Sequence, residues 1–226
     1  MKKISCIVVL PENASKVSLE AVKSYGGKIV FCEPTISARE MKVQELIDEY
    51  KYTFIHPFDD YSVIAGQGSI ACELESQLQE PLDKLLIPVG GGGLISGISF
   101  FAKKNGGIAS TIIGAEPETA RDATDSFYSK THVTDYKPMT IADGLRATLG
   151  VKNFEIILKN VDEFITATES EIIEAMKIIW SRLKVIVEPS AAVPLAVILN
   201  KPEYFKNERV GVILSGGNLD LEDLPW

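Results

Sequence analysis

The sequence contains little of what metal-binding, disulfide-bonded or membrane-spanning proteins need. It has two histidines and three cysteines in 226 residues, and none of them is arranged with the spacing of a zinc or redox motif. We therefore expect no metal site built from His and Cys, and we interpret Cys6, Cys32 and Cys72 as reduced thiols of a cytoplasmic protein. No apolar run approaches the roughly 20 residues that a membrane-spanning helix needs.

Basic residues are also in the minority, with 23 Lys and Arg against 31 Asp and Glu and a net charge of −8. Because an acidic surface repels nucleic acids and anionic membranes, we expect neither as a partner. The apolar run at residues 4–10 is too short for a secretory signal and is followed by Pro11, so we interpret it as a buried strand. With 46% hydrophobic residues, the chain can form a substantial core.

Strand and helix signals alternate along the chain, and this predicts an α/β fold with a parallel sheet. Ser37 and Glu40 are predicted to form a capping box. The predicted strands are 4–10, 28–32, 53–55, 84–87, 111–115 and 210–214. The predicted helices are 15–25, 37–50, 64–79, 98–104, 170–183 and 191–200. Ligands of such sheets bind where the strands end.

Four consecutive glycines, Gly90–Gly93, lie between the predicted strand 84–87 and the predicted helix 98–104. Without side chains in the way, their N–H groups can converge on one anion at the positive end of the helix. This pattern favours a phosphate-binding loop. The alternative is a tight turn that binds nothing, which would need fewer glycines, since each one costs conformational entropy on folding.

Two familiar phosphate loops do not fit these glycines. No Gly-Lys-Ser or Gly-Lys-Thr ends the run, and Gly90, Gly92 and Gly97 only loosely follow the dinucleotide spacing. A dinucleotide site remains an alternative, with Glu116 or Glu118 as the acidic residue that follows such a loop.

Polar residues also follow two other predicted strands. Ser215 comes directly after the last one, and its hydroxyl could bond to a ring nitrogen, although Ser, Gly and Asn also form ordinary turns. Glu116 and Asp122 follow the strand 111–115. Two carboxylates and a backbone carbonyl suit Mg²⁺ or Ca²⁺, while the alternative is a solvated acidic loop.

Taken in order, the motifs of this chain resemble those of the serine racemase and threonine/serine dehydratase family. These proteins are pyridoxal-phosphate enzymes of fold type II. The resemblance extends over the whole chain, and the ordered set is far more specific than any single motif. The segments that carry it are 11–14, 24–27, 63–69, 88–94, 115–117, 140–144, 187–191 and 214–218.

The resemblance implies a parallel-sheet large domain at 59–226 that lacks its N-terminal part, and a remnant of a small Rossmann-like domain at 1–58. It implies β-elimination of water from L-serine or L-threonine, racemisation of the same substrate, or both. A homodimer is expected. The alternative is a catalytically inactive relative that retains phosphate, divalent-metal or nucleotide binding.

The family's site residues can be carried over to matching positions. The loop Gly90, Gly91, Gly92, Gly93 and the Leu94 backbone would hold the cofactor phosphate, and Ser215 would face the pyridine nitrogen. A serine there leaves the nitrogen largely unprotonated and so tempers the cofactor as an electron sink. Asp143, Gly144 and Glu188 would lie near cofactor and substrate.

Two further sites are implied by the racemase branch. Glu116, the Ala120 carbonyl and Asp122 match its divalent-cation site, for Mg²⁺, Ca²⁺ or Mn²⁺. Arg182, Lys184 and Asn218 match positions that contact ATP where ATP is an activator. Arg182 and Lys184 could equally be the solvated basic end of a helix.

The sequence departs from the family pattern at three places. Phe58 stands where animal racemases have an asparagine, and Ala147 replaces a serine that helps to hold the substrate carboxylate. The Schiff-base lysine motif Ser-Phe-Lys-x-Arg-Gly and the substrate loop Ser-Ser-Gly-Asn-His do not occur in the chain.

Without that lysine, no catalytic residue can be assigned. We expect an incomplete gene model of an active enzyme, because a chain lacking the leading elements would expose strand edges and apolar surface. The alternatives are a true truncated relative or a chain that pairs with a separate one supplying the lysine.

Overall fold

The computed structural model describes residues 4–14, 16–104 and 107–226 of the chain, and these form two compact units. The first unit contains the described residues up to Ile55 together with Asn218–Leu224, and the second contains His56–Gly217 with Pro225–Trp226. The boundary predicted from the sequence lay between residues 58 and 59. That the two parts are domain remnants stays a prediction.

The first unit is built on two parallel strands, β1 (Ile7–Pro11) and β2 (Lys28–Cys32). They alternate with helices α1 (Lys16–Ser24) and α2 (Ile36–Tyr50). Glycine at position 26 ends α1 because it adopts a left-handed φ of +79°. The predicted start of this helix, Ser15, lies outside the described residues.

Two predictions for the first unit are wrong. The hydroxyl of Thr35, not Ser37, caps α2 by accepting the N–H of Ala38 at 3.1 Å. Residues 53–55 form no strand, and Phe54 and Ile55 are exposed. Their aromatic and β-branched side chains suit a strand locally, but propensity does not suffice without a neighbouring strand to pair with.

The second unit contains a parallel sheet with the strand order β5-β4-β3-β6. This confirms the predicted α/β fold with parallel strands. The strands are β3 (Leu82–Pro88), β4 (Ala109–Pro117), β5 (Glu163–Ala167) and β6 (Val210–Val212). The helices are α3 (Tyr61–Gln67), α4 (Ser69–Gln77), α5 (Gly93–Lys104), α6 (Asp122–Ser129), α7 (Val151–Asn160), α8 (Glu169–Ile178) and α9 (Pro189–Asn200).

The two central strands form the core of this unit. Leu85 and Leu86 of β3 and Ile112 and Ile113 of β4 are completely buried on both faces of the sheet. A parallel sheet that is covered on both sides requires such continuous apolar runs. Burial of each such Leu or Ile side chain stabilises the fold by about 1.5–3 kcal/mol. The central strands β3 and β4 therefore fix the positions of the segments that follow them.

The predicted helix 64–79 is in fact two helices, α3 and α4, which are separated at Gly68. Here α3 and α4 approach α5 so closely that a Cβ on Gly97 would lie 2.2 Å from the carbonyl oxygen of Ile64. A Cβ on Gly68 would lie 3.1 Å from the carbonyl oxygen of Gly97. The two glycines therefore permit a contact that a helical periodicity does not reveal.

Three elements of the second unit were not predicted, namely α6, α7 and β5. The other elements of this unit differ from their predicted bounds at the ends; for example, α5 begins at Gly93, and β6 ends at Val212. Within the part of the chain that the structure describes, no helix has both the length and the apolar character needed to span a bilayer.

Candidate active site

The glycine loop, Gly90–Gly93, connects the end of β3 to the first turn of α5. The N–H of Val89 still bonds to the Ala115 carbonyl of β4 at 3.0 Å, so the loop starts where sheet pairing ends. Gly92 has a φ of +89°, which favours glycine. Among the described residues, the N–H groups of Gly90–Gly93 have no hydrogen-bond partner. Unpaired donors at the positive end of a helix are suited to binding an anion.

A cavity of about 620 Å³ lies beside the glycine loop. It lies at the edge where the strands end, which is where α/β sheets bind their ligands, and its volume is ordinary for a small-molecule site. Its lining residues are Pro57, Phe58, Val63, Gln67, Ile70, Pro88, Gly90–Gly93, Leu94, Gly144, Leu145, Ala147, Glu188, Ser190 and Val212–Ser215.

Most of the cofactor and substrate residues predicted from the sequence meet at this cavity. Gly90–Gly93 and Leu94 line one part of it, and Gly144, Glu188 and Ser215 line others. Asp143 is not among the lining residues, and its Oδ1 accepts the N–H of Gly144 at 2.9 Å. The structure therefore brings eight of the nine predicted residues together, although their roles stay predictions.

Glu188 stands at the start of α9, with glycines on either side of its carboxylate. A Cβ on Gly216 would lie 3.0 Å from Oε1 of Glu188, and a Cβ on Gly144 would lie 3.3 Å from it. The N–H of Glu188 donates to the Gly216 carbonyl at 3.1 Å, and the N–H of Gly144 donates to the Ser190 hydroxyl at 3.0 Å. These bonds connect three separate chain segments around the cavity.

A second group of polar residues lies at the end of β4, where Glu116 is completely buried. Its Oε2 accepts bonds from the backbone N–H of Thr124 at 2.7 Å and from the Thr124 hydroxyl at 2.6 Å, and its Oε1 accepts the N–H of Ala123 at 3.2 Å. Burial raises the pKa of Glu116 well above its ordinary value, and the charge of Asp122 raises it further.

Asp122 is also buried, and its Oδ2 accepts the N–H of Leu149 at 2.7 Å. Burial raises the pKa of this carboxyl, while the Leu149 bond and the charge of His132 act in the opposite direction. The structure thus places Glu116, the buried Ala120 and Asp122 in one short segment. Among the described residues no three His, Cys, Asp or Glu side chains are arranged to hold a metal ion.

A profile of the family described as pyridoxal-phosphate dependent enzyme matches residues 1–216 of the chain. The chain is 44% identical over 230 residues to the β-hydroxyaspartate dehydratase of Paracoccus denitrificans, covering 100% of this chain and 71% of that protein.

This chain belongs to the pyridoxal-phosphate-dependent enzyme family. The crystal structure of serine racemase from Dictyostelium discoideum matches with a TM-score of 0.87 and 44% identity, covering 96% of this chain and 70% of that one. The structure of maize serine racemase matches with a TM-score of 0.91 and 37% identity, covering 97% and 68%. A crystal structure of threonine deaminase matches with a TM-score of 0.90 and 35% identity, covering 96% and 71%. The predicted resemblance and the type II fold are thereby confirmed.

The cavity fits the cofactor of a pyridoxal-phosphate-dependent enzyme. The free N–H groups of Gly90–Gly93 suit its phosphate. The Ser215 side chain, three residues beyond the end of β6, is neutral, as a residue facing an unprotonated ring nitrogen should be. No lysine is among the described residues that line the cavity.

The predicted nucleotide residues do not fall in one unit. Arg182 lies in a π-helical turn, Ile179–Leu183, which extends α8, and Lys184 follows it with a left-handed φ of +58°. The Lys184 ammonium donates to the Ser181 carbonyl at 2.6 Å. Asn218 belongs to the first unit, so ATP binding stays a prediction.

The two departures from the family pattern, Phe58 and Ala147, both line the cavity. The Phe58 ring packs so tightly on the loop that a Cβ on Gly91 would lie 2.4 Å from it. Two residues near the loop were not predicted: Asn153 bonds to Gly91, and Asp59 bonds to Asn153. The one available signal was the Gly150 that precedes α7, a common feature of helix starts.

Proposed function

We propose that this protein is a pyridoxal-phosphate-dependent enzyme that acts on a small α-amino acid with a β-hydroxyl group. The reaction would be elimination of water from the substrate to an enamine, whose imine tautomer takes up one water and is hydrolysed to a keto acid and ammonia. Racemisation at Cα would occur together with this elimination or in place of it. The observation that carries the proposal is the set of free N–H groups in Gly90–Gly93, a loop that lines the same cavity as Ser215 and Glu188.

The names of three relatives support this substrate class. Serine, threonine and β-hydroxyaspartate are all α-amino acids with a hydroxyl on Cβ. The cavity volume of about 620 Å³ accommodates such a molecule beside the cofactor. Because Ala147 supplies no hydroxyl to a substrate carboxylate, we expect preference among these three acids to depend on other residues.

The residues of this chain would divide the work as follows. Gly90–Gly93 and the Leu94 N–H would hold the phosphate, so that the cofactor ring lies in the cavity. The Ser215 hydroxyl would donate a hydrogen bond to the ring nitrogen without protonating it. When bound, the cofactor supplies an electron sink for the pair released when the Cα–H bond breaks. Gly144 and Glu188 would orient the substrate in the cavity. The Glu188 carboxylate lies between two glycines, Gly144 and Gly216.

A second candidate function is ligand binding without catalysis. The observation that favours it is the absence of a lysine among the described residues lining the cavity. The two candidates differ in covalent chemistry, because an enzyme whose lysine lies beside the bound cofactor is fixed by borohydride to one molecule of pyridoxal phosphate. Inorganic phosphate, which competes for the glycine loop, should block that fixation, whereas it should not block the reaction of exposed lysines.

The test is to add pyridoxal phosphate to the purified chain, reduce with borohydride and measure the intact mass. A mass increase of one reduced cofactor supports the enzyme. Saturable binding without covalent fixation supports the binding role of this chain. Failure of both pyridoxal phosphate and inorganic phosphate to bind would overturn the phosphate-loop proposal itself.

The other ligands remain proposals of the same kind. Glu116, the Ala120 carbonyl and Asp122 offer the hard oxygen ligands that Mg²⁺ prefers, and two buried carboxylates are more stable beside a cation. ATP is proposed as a ligand of Arg182 and Lys184, which both lie in the second unit. A homodimer and a cytoplasmic location stay predictions.

A further inference from the structure

Asn153, in the first turn of α7, is completely buried next to the glycine loop. Its side-chain Nδ2 lies 2.8 Å from the Gly91 carbonyl oxygen and 3.0 Å from the Phe58 carbonyl oxygen. Because both neighbours are acceptors, the side-chain amide must face them with its nitrogen. One side chain therefore connects two segments that line the cavity.

The Gly91 carbonyl is fixed by two donors, since it also accepts the N–H of Gly150 at 3.1 Å. The peptide bond that follows Gly91 is trans and planar, so its carbonyl and the N–H of Gly92 point in opposite directions. A carbonyl that points toward α7 turns the N–H of Gly92 away from α7. This N–H has no partner among the described residues, and Gly92 lines the cavity.

We propose that Asn153 is a positioning residue that orients the Gly92 N–H toward the cofactor phosphate. This inference rests on the proposed function, since it assigns the glycine loop to the phosphate. Asn153 packs directly on the loop, because a Cβ on Gly92 would lie only 2.9 Å from the Cβ of Asn153. A larger residue than glycine at position 92 would therefore collide with the Asn153 side chain.

Asn153 is itself held in place by the chain segment that it binds. Oδ1 of Asp59 accepts the backbone N–H groups of Lys152 at 3.0 Å and of Asn153 at 3.3 Å. The Lys152 ammonium donates to the Asp59 carbonyl at 3.1 Å. The bonds between Phe58–Asp59, Gly91 and the start of α7 thus form a connected set that fixes the loop.

The amide oxygen of Asn153, Oδ1, supports a specific role for the two hydrogen bonds that Nδ2 donates. Oδ1 is buried and has no partner within the described part of the chain. A buried carbonyl oxygen without a partner is unfavourable. An apolar side chain would avoid this cost but would leave the Gly91 and Phe58 carbonyls without the Asn153 donor.

The experiment measures the affinity of the full chain for pyridoxal phosphate and for pyridoxal, which lacks the phosphate. For Asn153→Ala and the isosteric Asn153→Asp we expect an affinity loss for pyridoxal phosphate of about 10- to 100-fold, as for one hydrogen bond to a charged group. The affinity for pyridoxal should be unchanged. Asn160→Ala is the matched control, since Asn160 is at the other end of α7 and bonds to the Ile156 carbonyl.

Two results would overturn the inference alone: an unchanged affinity for pyridoxal phosphate in both variants, or an equal loss for both ligands, which indicates a general structural role. Circular dichroism identifies a variant that does not fold, and Asn153→Ser, which keeps one donor, then takes its place with an intermediate loss expected. If the wild-type chain binds neither pyridoxal phosphate nor inorganic phosphate, the proposed function fails, and this inference fails with it.

Discussion

The segments at the ends of β3 and β4 lie on neighbouring strands at one edge of the sheet, but they are suited to ligands of opposite charge. The glycine loop after β3 has free N–H donors and no charged side chain. The segment that begins at the end of β4 contains two buried carboxylates, Glu116 and Asp122, which already accept hydrogen bonds from protein donors. The first needs an anion from outside, whereas the second is stabilised by a proton or a cation.

The largest expected effect comes from adding a side chain to the glycine loop. Gly92→Ala places a Cβ 2.6 Å from Cδ1 of Leu149 at a φ of +89°. Strain and overpacking together should lower the free energy of unfolding by about 3 kcal/mol, as measured by urea denaturation. Gly66→Ala is the control, because a Cβ there has no atom within 4 Å. Equal stability of the two variants would contradict this account of the loop.

The next effect concerns the charge at Glu116. Because burial raises the pKa of Glu116, the folded protein keeps a proton on this carboxyl to higher pH than the unfolded chain does. The free energy of unfolding should therefore fall as the pH rises above the ordinary pKa of Glu. Each unit of pKa difference contributes about 1.4 kcal/mol. Glu116→Gln should remove this loss, as measured by unfolding from pH 5 to 8 in EDTA.

The control for Glu116→Gln is Glu118→Gln, which changes an exposed carboxyl two residues away. Mg²⁺ should raise the melting temperature of the wild type at pH 8 and leave that of Glu116→Gln unchanged. Parallel pH profiles for wild type and Glu116→Gln would show that burial of this carboxylate does not lower the free energy of unfolding as pH rises. An equal increase in melting temperature with Mg²⁺ in both proteins would contradict the proposed metal site.

A smaller effect is expected where a donor to that carboxylate is removed. Thr124→Val keeps the shape of the side chain but removes the hydroxyl that donates to Oε2 of Glu116 at 2.6 Å. We expect a loss of about 1–3 kcal/mol at pH 8 and less at pH 5, where the carboxyl is closer to neutral. Thr131→Val, in an exposed turn, should show no such pH dependence. A loss of equal size at both pH values would mean that the bond does not act through the charge.

The smallest effect is expected at Ser215. Ser215→Ala should weaken the affinity for pyridoxal phosphate by about 3- to 10-fold, the value of one neutral hydrogen bond, without changing urea denaturation. Ser181→Ala removes an exposed hydroxyl from the π-helical turn and should leave the affinity unchanged. If the Ser215 variant binds as tightly as wild type, its hydroxyl does not bond to the ring nitrogen.

The sequence predicted the part of the site that depends on neighbours along the chain. A buried strand, four glycines and a helix follow one another between Leu82 and Lys104, so local patterns suffice. Ser215 could be placed because it directly follows the predicted strand 210–214, although β6 itself ends three residues earlier, at Val212. In both cases the parallel sheet brings the loops to one edge.

The remainder of the site depends on contacts between distant positions. The bond from Asn153 to Gly91 joins residues 62 positions apart, and the bond from Lys152 to Asp59 joins residues 93 positions apart. Neither leaves a periodic pattern in the sequence. The break at Gly68 has the same origin, since it depends on the distant Gly97, and residues 53–55 were mistaken for a strand because local propensity does not report the missing neighbour.

The cap that Asp59 provides for α7 has a consequence for the order of folding. The first turn of this helix cannot be capped until residues 59 and 152 meet, which requires closure of a long loop. The bonds from Gly150 and Asn153 to Gly91 depend on that turn. We therefore expect the glycine loop to reach its final form late in refolding, after β3 and α5 have formed. The backbone amides of Gly150, Lys152 and Asn153, which bond to Gly91 and Asp59, should be among the last to gain protection from hydrogen exchange.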